Sequence, residues 1–182
     1  SSLIKKILFP ALKKRLGGYG EKTGKHSSFE GAWQDLSDVE FIDQNPIGKS
    51  SRSNPVTYIK AYDDIRQLYT SLPLAKARKY KAGYFSFNID GGRCDKCQGE
   101  GEITIEMQFM ADVHLKCDVC HGKRFRKEIL DVKLAEKSIH DILELTVDDA
   151  IDFFKKEEQT KIANKLQPLQ DVGLGYVSLG QS

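Results

Sequence analysis

All four cysteines of the chain fall in one short stretch, as Cys94-x2-Cys97-x19-Cys117-x2-Cys120. Two Cys-x-x-Cys pairs at this spacing fit the pattern of a zinc ribbon. Each pair makes a tight knuckle whose sulfurs can reach one ion at ~2.3 Å, and two knuckles close a tetrahedron. Gly99 and Gly122 each stand five residues after the first cysteine of their pair. Glycine tolerates positive φ there and lets the chain turn back without a Cβ clash. Redox chemistry and disulfides are the other uses of four thiols, and a reducing compartment argues against the latter. A closed four-cysteine site has no open coordination position, so a structural rather than a catalytic Zn2+ is expected. His114 and His121 are alternative ligands by proximity alone.

Lys123, Arg124, Arg126 and Lys127 follow the second pair. They compensate the formal charge of about −2 on zinc held by four thiolates, or they contact phosphate from a metal-braced loop. The net charge of +2 does not decide between these, but its distribution is uneven. Residues 1–20, 45–60 and 65–89 carry bases and no acid, while acids gather in 131–158. One part of the fold can therefore face an anion while the whole stays near neutral. The candidate phosphate contacts are Lys49, Arg52, Lys76, Arg78, Lys79, Lys81, Lys123 and Arg124. Such contacts bind without regard to sequence and weaken steeply with salt. Tyr80, Tyr84, Phe85 and Phe87 are candidates for base stacking or, with greater weight, for the core.

The elements that must position these residues are short. Between the pairs, Ile103, Ile105, Met107 and Phe109 alternate with polar neighbours, the period of a half-buried strand. A return strand through Val113 and Leu115 would bring Cys117 back beside Cys94. Leu3, Ile4, Ile7, Leu8, Leu12 and Leu16 share one face of a first helix, kinked at Pro10 and ended by Gly17 and Gly18. Residues 39–44 read as a buried strand, and 84–89 as a strand feeding the first knuckle. Asp63 opens a helix that stops at Pro73, and Leu130, Val132 and Leu134 suggest another strand. Ser138 and Thr146 are N-cap candidates, the second with Asp149 at near capping-box spacing. A last helix covers 162–169, with Pro168 expected to bend it.

A chain of 182 residues with 40% hydrophobic and 30% charged residues reads as soluble and globular. No apolar run approaches the ~20 residues of a membrane span, and no signal-peptide pattern opens the chain. A cytoplasmic protein without a membrane partner is expected.

In order, the stretches SSLI, FIDQNPIGKSSRSNP, TYIKAYDDIRQLY, the cysteine segment from LAKARKYKAGYF to CHGKRF, TVDDAIDFF and DVGLGYVSLGQS resemble the UvrA family. These are ABC-type ATPases that recognise damage in bacterial nucleotide excision repair. The resemblance implies an α+β fold: residues 1–49 from a partial nucleotide-binding domain, 50–155 an inserted module with the zinc site at 91–127, and 156–182 a helix leading to the ABC signature. SSLI resembles the segment after the phosphate loop, and LGQS the segment before the signature, so the chain reads as a piece between those motifs. By this match Ser1 and Ser2 stand at the nucleotide and Mg2+ site, and Gln44 is the Q-loop glutamine with a catalytic role. ATP and Mg2+ are implied for the full-length protein only, and the piece is expected to be inactive alone. Implied partners are damaged double-stranded DNA, UvrB-like excision nuclease subunits and, at full length, a second copy. Two other readings stay open: a UvrA-like paralogue of the drug-resistance type, and a DnaJ-type cysteine-rich module that binds unfolded polypeptide.

Overall fold

The computed structural model describes residues 2–43, 52–107 and 109–182. It divides into two compact units, Ser1–Ile47 and Gly48–Ser182. Helices with two small sheets make it a mixed α+β structure, as the sequence predicts. No helix among the described residues is long and apolar enough to cross a membrane.

In the first unit a π-helical turn, Ile4–Leu8, leads into α1, Phe9–Arg15. Pro10 has no N–H to give the carbonyl four residues back, which belongs to Lys6. The Lys6 carbonyl accepts instead from the Gly24 N–H at 2.8 Å, and the widened turn lies just before the proline. Gly17, at φ +80°, ends the helix as expected. The predicted apolar face is only partly covered: Leu3, Ile4 and Leu8 are exposed, Ile7, Leu12 and Leu16 are half-buried, and Pro10 and Ala11 are the buried residues of α1. The strand expected at 39–44 does not form over 39–43, and Gln44 lies outside the described residues. Its groups are used singly: Phe41 packs on Phe9 with ring centroids 5.4 Å apart, and the Val39 carbonyl accepts from Lys13 Nζ.

The second unit opens on α2, Pro55–Tyr58, with a capping box between Asn54 and Thr57. The helices α3, Ala61–Ser71, and α4, Pro73–Ala77, follow, divided where Pro73 starts a new first turn. The first knuckle then leads into β1, Glu102–Ile105, which pairs antiparallel with β2, Val113–Lys116, in the register Ile103 with Leu115. After the second knuckle come α5, Lys127–Leu130, the two-residue strands β3, Lys133–Leu134, and β4, Lys137–Ser138, and then α6, Ile139–Glu144. The strand expected through Leu130, Val132 and Leu134 is thus mostly a helical turn, since Val132 N–H bonds back to Ile129. Helices α7, Val147–Lys156, and α8, Thr160–Asp171, complete the unit. Ser138 and Thr146 cap α6 and α7 as predicted. α7 carries Asp148 and Asp149 in its first turn and Lys155 and Lys156 in its last, which complements the helix dipole.

Tyr69, Phe85, Phe87, Phe125, Phe154, Leu166 and Leu179 are fully buried in one cluster with the apolar faces of α3, α6, α7 and α8. The chain after α8 is stitched in by backbone bonds, Val147 N–H to Val177, Leu179 N–H to Leu145 and Val56 N–H to Leu179. Asp64 on α3 pairs with Lys161 and Lys165 on α8 at 2.8 and 2.6 Å, and these ammonium groups hold its carboxyl below the usual range.

The strand expected at 84–89 is absent. Ala82–Phe85 form a 3-10 turn, and Phe85, Ser86 and Phe87 are consecutively buried rather than alternating. The carbonyls there are taken one at a time, Phe85 by the Tyr62 hydroxyl at 2.7 Å and Asn88 by Arg93. The aromatics are core residues: Phe85 and Phe87 are fully buried, and Tyr80 and Tyr84 are half-buried and stacked at 4.9 Å.

Candidate metal centre

The two knuckles repeat the same backbone course. After each second cysteine the chain takes two left-handed residues, Gln98 and Gly99 in one case, His121 and Gly122 in the other, with φ between +52° and +87°. Glycine relieves the second of these positions. Two residues further on, Gly101 and Arg124 are also left-handed, at +83° and +67°. Backbone pairing clamps the two courses together: Cys94 N–H donates to Arg124, Arg126 N–H to Gly92, and Cys117 N–H to Gly101, all at 2.8–2.9 Å.

This brings four sulfurs to one point. Cys94 and Cys117 Sγ are 3.9 Å apart, Cys97 and Cys120 Sγ 3.6 Å, and all four lie within 4.8 Å of one another. A tetrahedron with ~2.3 Å metal–sulfur bonds has edges of ~3.8 Å, so the donor set fits such an ion. The four thiols are buried, and together they could hold a metal ion. They face one another with little water. Burial pushes Cys120 up to about 12 and raises Cys97. Burial opposes ionisation at Cys117 too, yet backbone N–H groups of Cys120 and Val119 bring it down to about 7. A cation among the sulfurs removes the conflict by favouring the thiolate at every position. His114 lies on β2, where its Nδ1 meets Thr104 Oγ1 at 3.1 Å, and His121 is exposed. The cluster itself consists of the cysteines.

The hairpin between the pairs is shorter and barer than predicted. β1 stops at Ile105, so Met107 and Phe109 are not in the strand, and Phe109 is 95% exposed. Ile103 packs on the cysteines, while Ile105, Val113 and Leu115 beyond it are exposed. The other face carries Glu102, Thr104 and His114, which line a cavity of about 360 Å³ with Glu100, Arg124 and Ser182.

The basic candidates are placed differently from one another. Lys76, Lys79, Lys81 and Lys123 are exposed. Arg78 donates to the Glu128 carbonyl and to Asp131 at 2.8 and 3.0 Å, and that carboxylate raises its pKa. Arg124 sits 5.5 Å from the centre of the Phe87 ring. Arg52 is held by Glu100 and the Gln98 carbonyl, at 2.6 and 3.0 Å. Arg126, the other base after the knuckle, pairs with Asp95 at 2.6 Å. Ser2 is exposed at the start of the first helix, and Ser1, Gln44 and Lys49 lie outside the described residues. The sequence reading passed over Arg93, which donates to Asp90, to the Asn88 and Gln98 carbonyls and to the Gln98 side chain. Its place directly before Cys94 was the available signal.

No protein-family model matches the chain. UvrABC system protein A of Clostridium acetobutylicum is 50% identical over 181 residues, which is 100% of this chain and 19% of that protein. The same protein of Bacillus subtilis is also 50% identical over 181 residues, again 100% of this chain and 19% of its own length. The chain belongs to the UvrA family. The crystal structure of UvrA2 from Deinococcus radiodurans matches with a TM-score of 0.71 at 50% identity, covering 76% of this chain and 17% of that one. This UvrA-family chain thus spans about a fifth of the length of the curated relatives it matches.

Proposed function

We propose that the chain is the zinc-braced, DNA-facing part of a damage-recognition ATPase in the UvrABC excision nuclease pathway. The observation that carries this reading is the identity of 50% along the whole chain to UvrABC system protein A, joined to a four-sulfur cluster of tetrahedral size. Zinc is the ion that four buried thiolates at this spacing suit best, as a closed structural site. It would be held by Cys94, Cys97, Cys117 and Cys120 and would supply rigidity rather than chemistry.

The surface meeting duplex would be that of Lys76, Lys79, Lys81 and Lys123, with Arg78 and Arg124 braced behind by Asp131 and by Phe87. Cations on phosphates suit a protein that surveys any sequence, with damage read through deformability rather than base edges. Residues 1–49 would contribute to a nucleotide site through Ser1, Ser2 and Gln44, residues 50–155 would form the inserted module, and 156–182 would lead to the signature. ATP and Mg2+ would act only in the full-length protein, a cytoplasmic homodimer working with a UvrB-like subunit.

The test is binding of labelled duplex, intact and lesion-bearing, from about 50 to 300 mM salt. Affinity should fall steeply with salt, and Lys79→Gln with Lys81→Gln should lower the slope by about two. A flat salt dependence, or a slope unmoved by that pair, would sink the phosphate assignment. Metal analysis of freshly purified protein should return one zinc per chain.

A further inference from the structure

The segment entering the second unit touches the metal centre through Arg52. Arg52 Nε donates to Glu100 Oε1 at 2.6 Å and Nη2 to the Gln98 carbonyl at 3.0 Å. Both partners belong to the turn that leaves Cys97. Between them and the sulfur there is almost no slack: Glu100 N–H donates to the Cys97 carbonyl at 2.9 Å, and Gly101 N–H to Cys97 Sγ at 3.2 Å. Arg52 therefore holds the Glu100 side chain and the Gln98 carbonyl, next to the peptide whose Gly101 N–H is aimed at one of the four sulfurs.

Its backbone leads the other way. Two residues on, Asn54 caps α2 and is itself buried. At Val56 the N–H donates to the carbonyl of Leu179. Leu179 N–H bonds to Leu145 and Gly180 N–H to Leu143, so the chain after α8 is seated partly on this short segment. A continuous run of bonds then joins the sulfur cluster to residues 177–180 by way of Arg52.

We propose that Arg52 is a positioning residue for the metal centre and couples metal occupancy to the seating of residues 177–180. This rests on the zinc reading above. Outer partners that orient metal ligands alter affinity by ~10–100-fold when removed. Coupling between two equilibria is reciprocal, so the factor by which the seated Val56–Leu179 bond tightens metal through Arg52 is the factor by which metal protects that bond.

Amide exchange on the 182-residue chain, zinc-loaded and after chelation, tests this with zinc content measured in every sample. Chelation should speed exchange at Val56 by ~10-fold in the native sequence. Arg52→Gln should bind zinc ~10-fold more weakly and should lose most of that response. Glu100→Gln should reproduce both effects, and it serves if the arginine variant folds poorly. Arg52→Lys, which keeps the pairing charge, should restore part of the response. Arg93→Gln loosens the same knuckle at the shared Gln98 carbonyl but leaves the Arg52–Glu100 pair in place, so it should weaken zinc binding and keep the Val56 response. Zinc bound normally with Val56 responding alike in native, Arg52→Gln and Glu100→Gln chains would overturn the coupling and leave the zinc reading standing. Equal loss of the response in Arg93→Gln would also overturn it, and a chain that holds no zinc would bring down both.

Discussion

The two knuckles follow one backbone course but differ in what stands behind them. In the first, Gly99 presses so close to the chain that an added Cβ would lie 2.0 Å from the Phe87 carbonyl oxygen. Arg52 and Arg93 both grip the Gln98 carbonyl from outside. In the second, a Cβ on Gly122 would meet nothing within 4 Å, and Val119 is 62% exposed. This knuckle hangs on β2 and reaches the first through backbone bonds at its two ends and the Lys96–Asp118 pair. One half of the cage is built into the wall of the core, and the other is carried to it on a hairpin. A repeated motif need not be energetically symmetric.

Metal removal gives the largest test of that asymmetry, since structural zinc supplies ~10–16 kcal/mol in zinc-finger peptides. Chelation should strip exchange protection from residues 102–122, while Phe87 and residues 92–94 keep much of theirs. Equal loss on both sides would erase the distinction. Replacing one ligand should act in the same direction, with Cys117→Ala freeing the hairpin more fully than Cys94→Ala in limited proteolysis.

The glycines come next. Gly99→Ala combines a left-handed alanine with a backbone collision and should cost on the order of 3 kcal/mol or more by denaturant unfolding of the zinc-loaded chain. Gly122→Ala meets open space and should cost about 1 kcal/mol, the strain of its φ alone. Similar losses would mean the packing behind Gly99 yields readily.

Mild acid sharpens the contrast between the cage and the helices behind it. Thiolate ligands give up their metal as protons compete for sulfur. Asp64, held below its usual value by Lys161 and Lys165, contributes stability that is present above ~3.9 and lost only as pH falls through its lower folded value. Zinc release should therefore precede loosening of the α3–α8 contact on the way down in pH, followed by metal indicator and by exchange on α3. The smallest effect should be that of Lys96→Gln, which removes an exposed pair between the knuckles and should move the melting temperature only slightly.

What was legible in the sequence is what local chemistry decides. Cysteine spacing and the two glycines give the cage, because a knuckle is a short-range object with fixed turn demands. Ser138 and Thr146 were readable because a cap needs only its own side chain and the next turn. Residues 39–44 and 84–89 failed for a shared reason: alternation states a period but not a partner. Without a neighbouring strand the carbonyls at Val39, Phe85 and Asn88 are satisfied by lysine, tyrosine and arginine side chains from elsewhere. The bare face of Ile105, Val113 and Leu115 was equally hidden, since the pattern of a half-buried strand does not say what buries it. The contacts of Arg52 needed the folded chain, and for Arg93 the sequence offered only its place before Cys94.

Pro10 shows how a missing donor can organise its surroundings. Because the ring withholds a hydrogen from Lys6, that carbonyl became a berth for Gly24, where an added Cβ would sit 3.0 Å from Ile7. Alanine at position 10 would put a rival for the berth inside the helix itself. A straighter helix would then come with a detached loop, so the residue usually regarded as a breaker is here what fastens the following segment down.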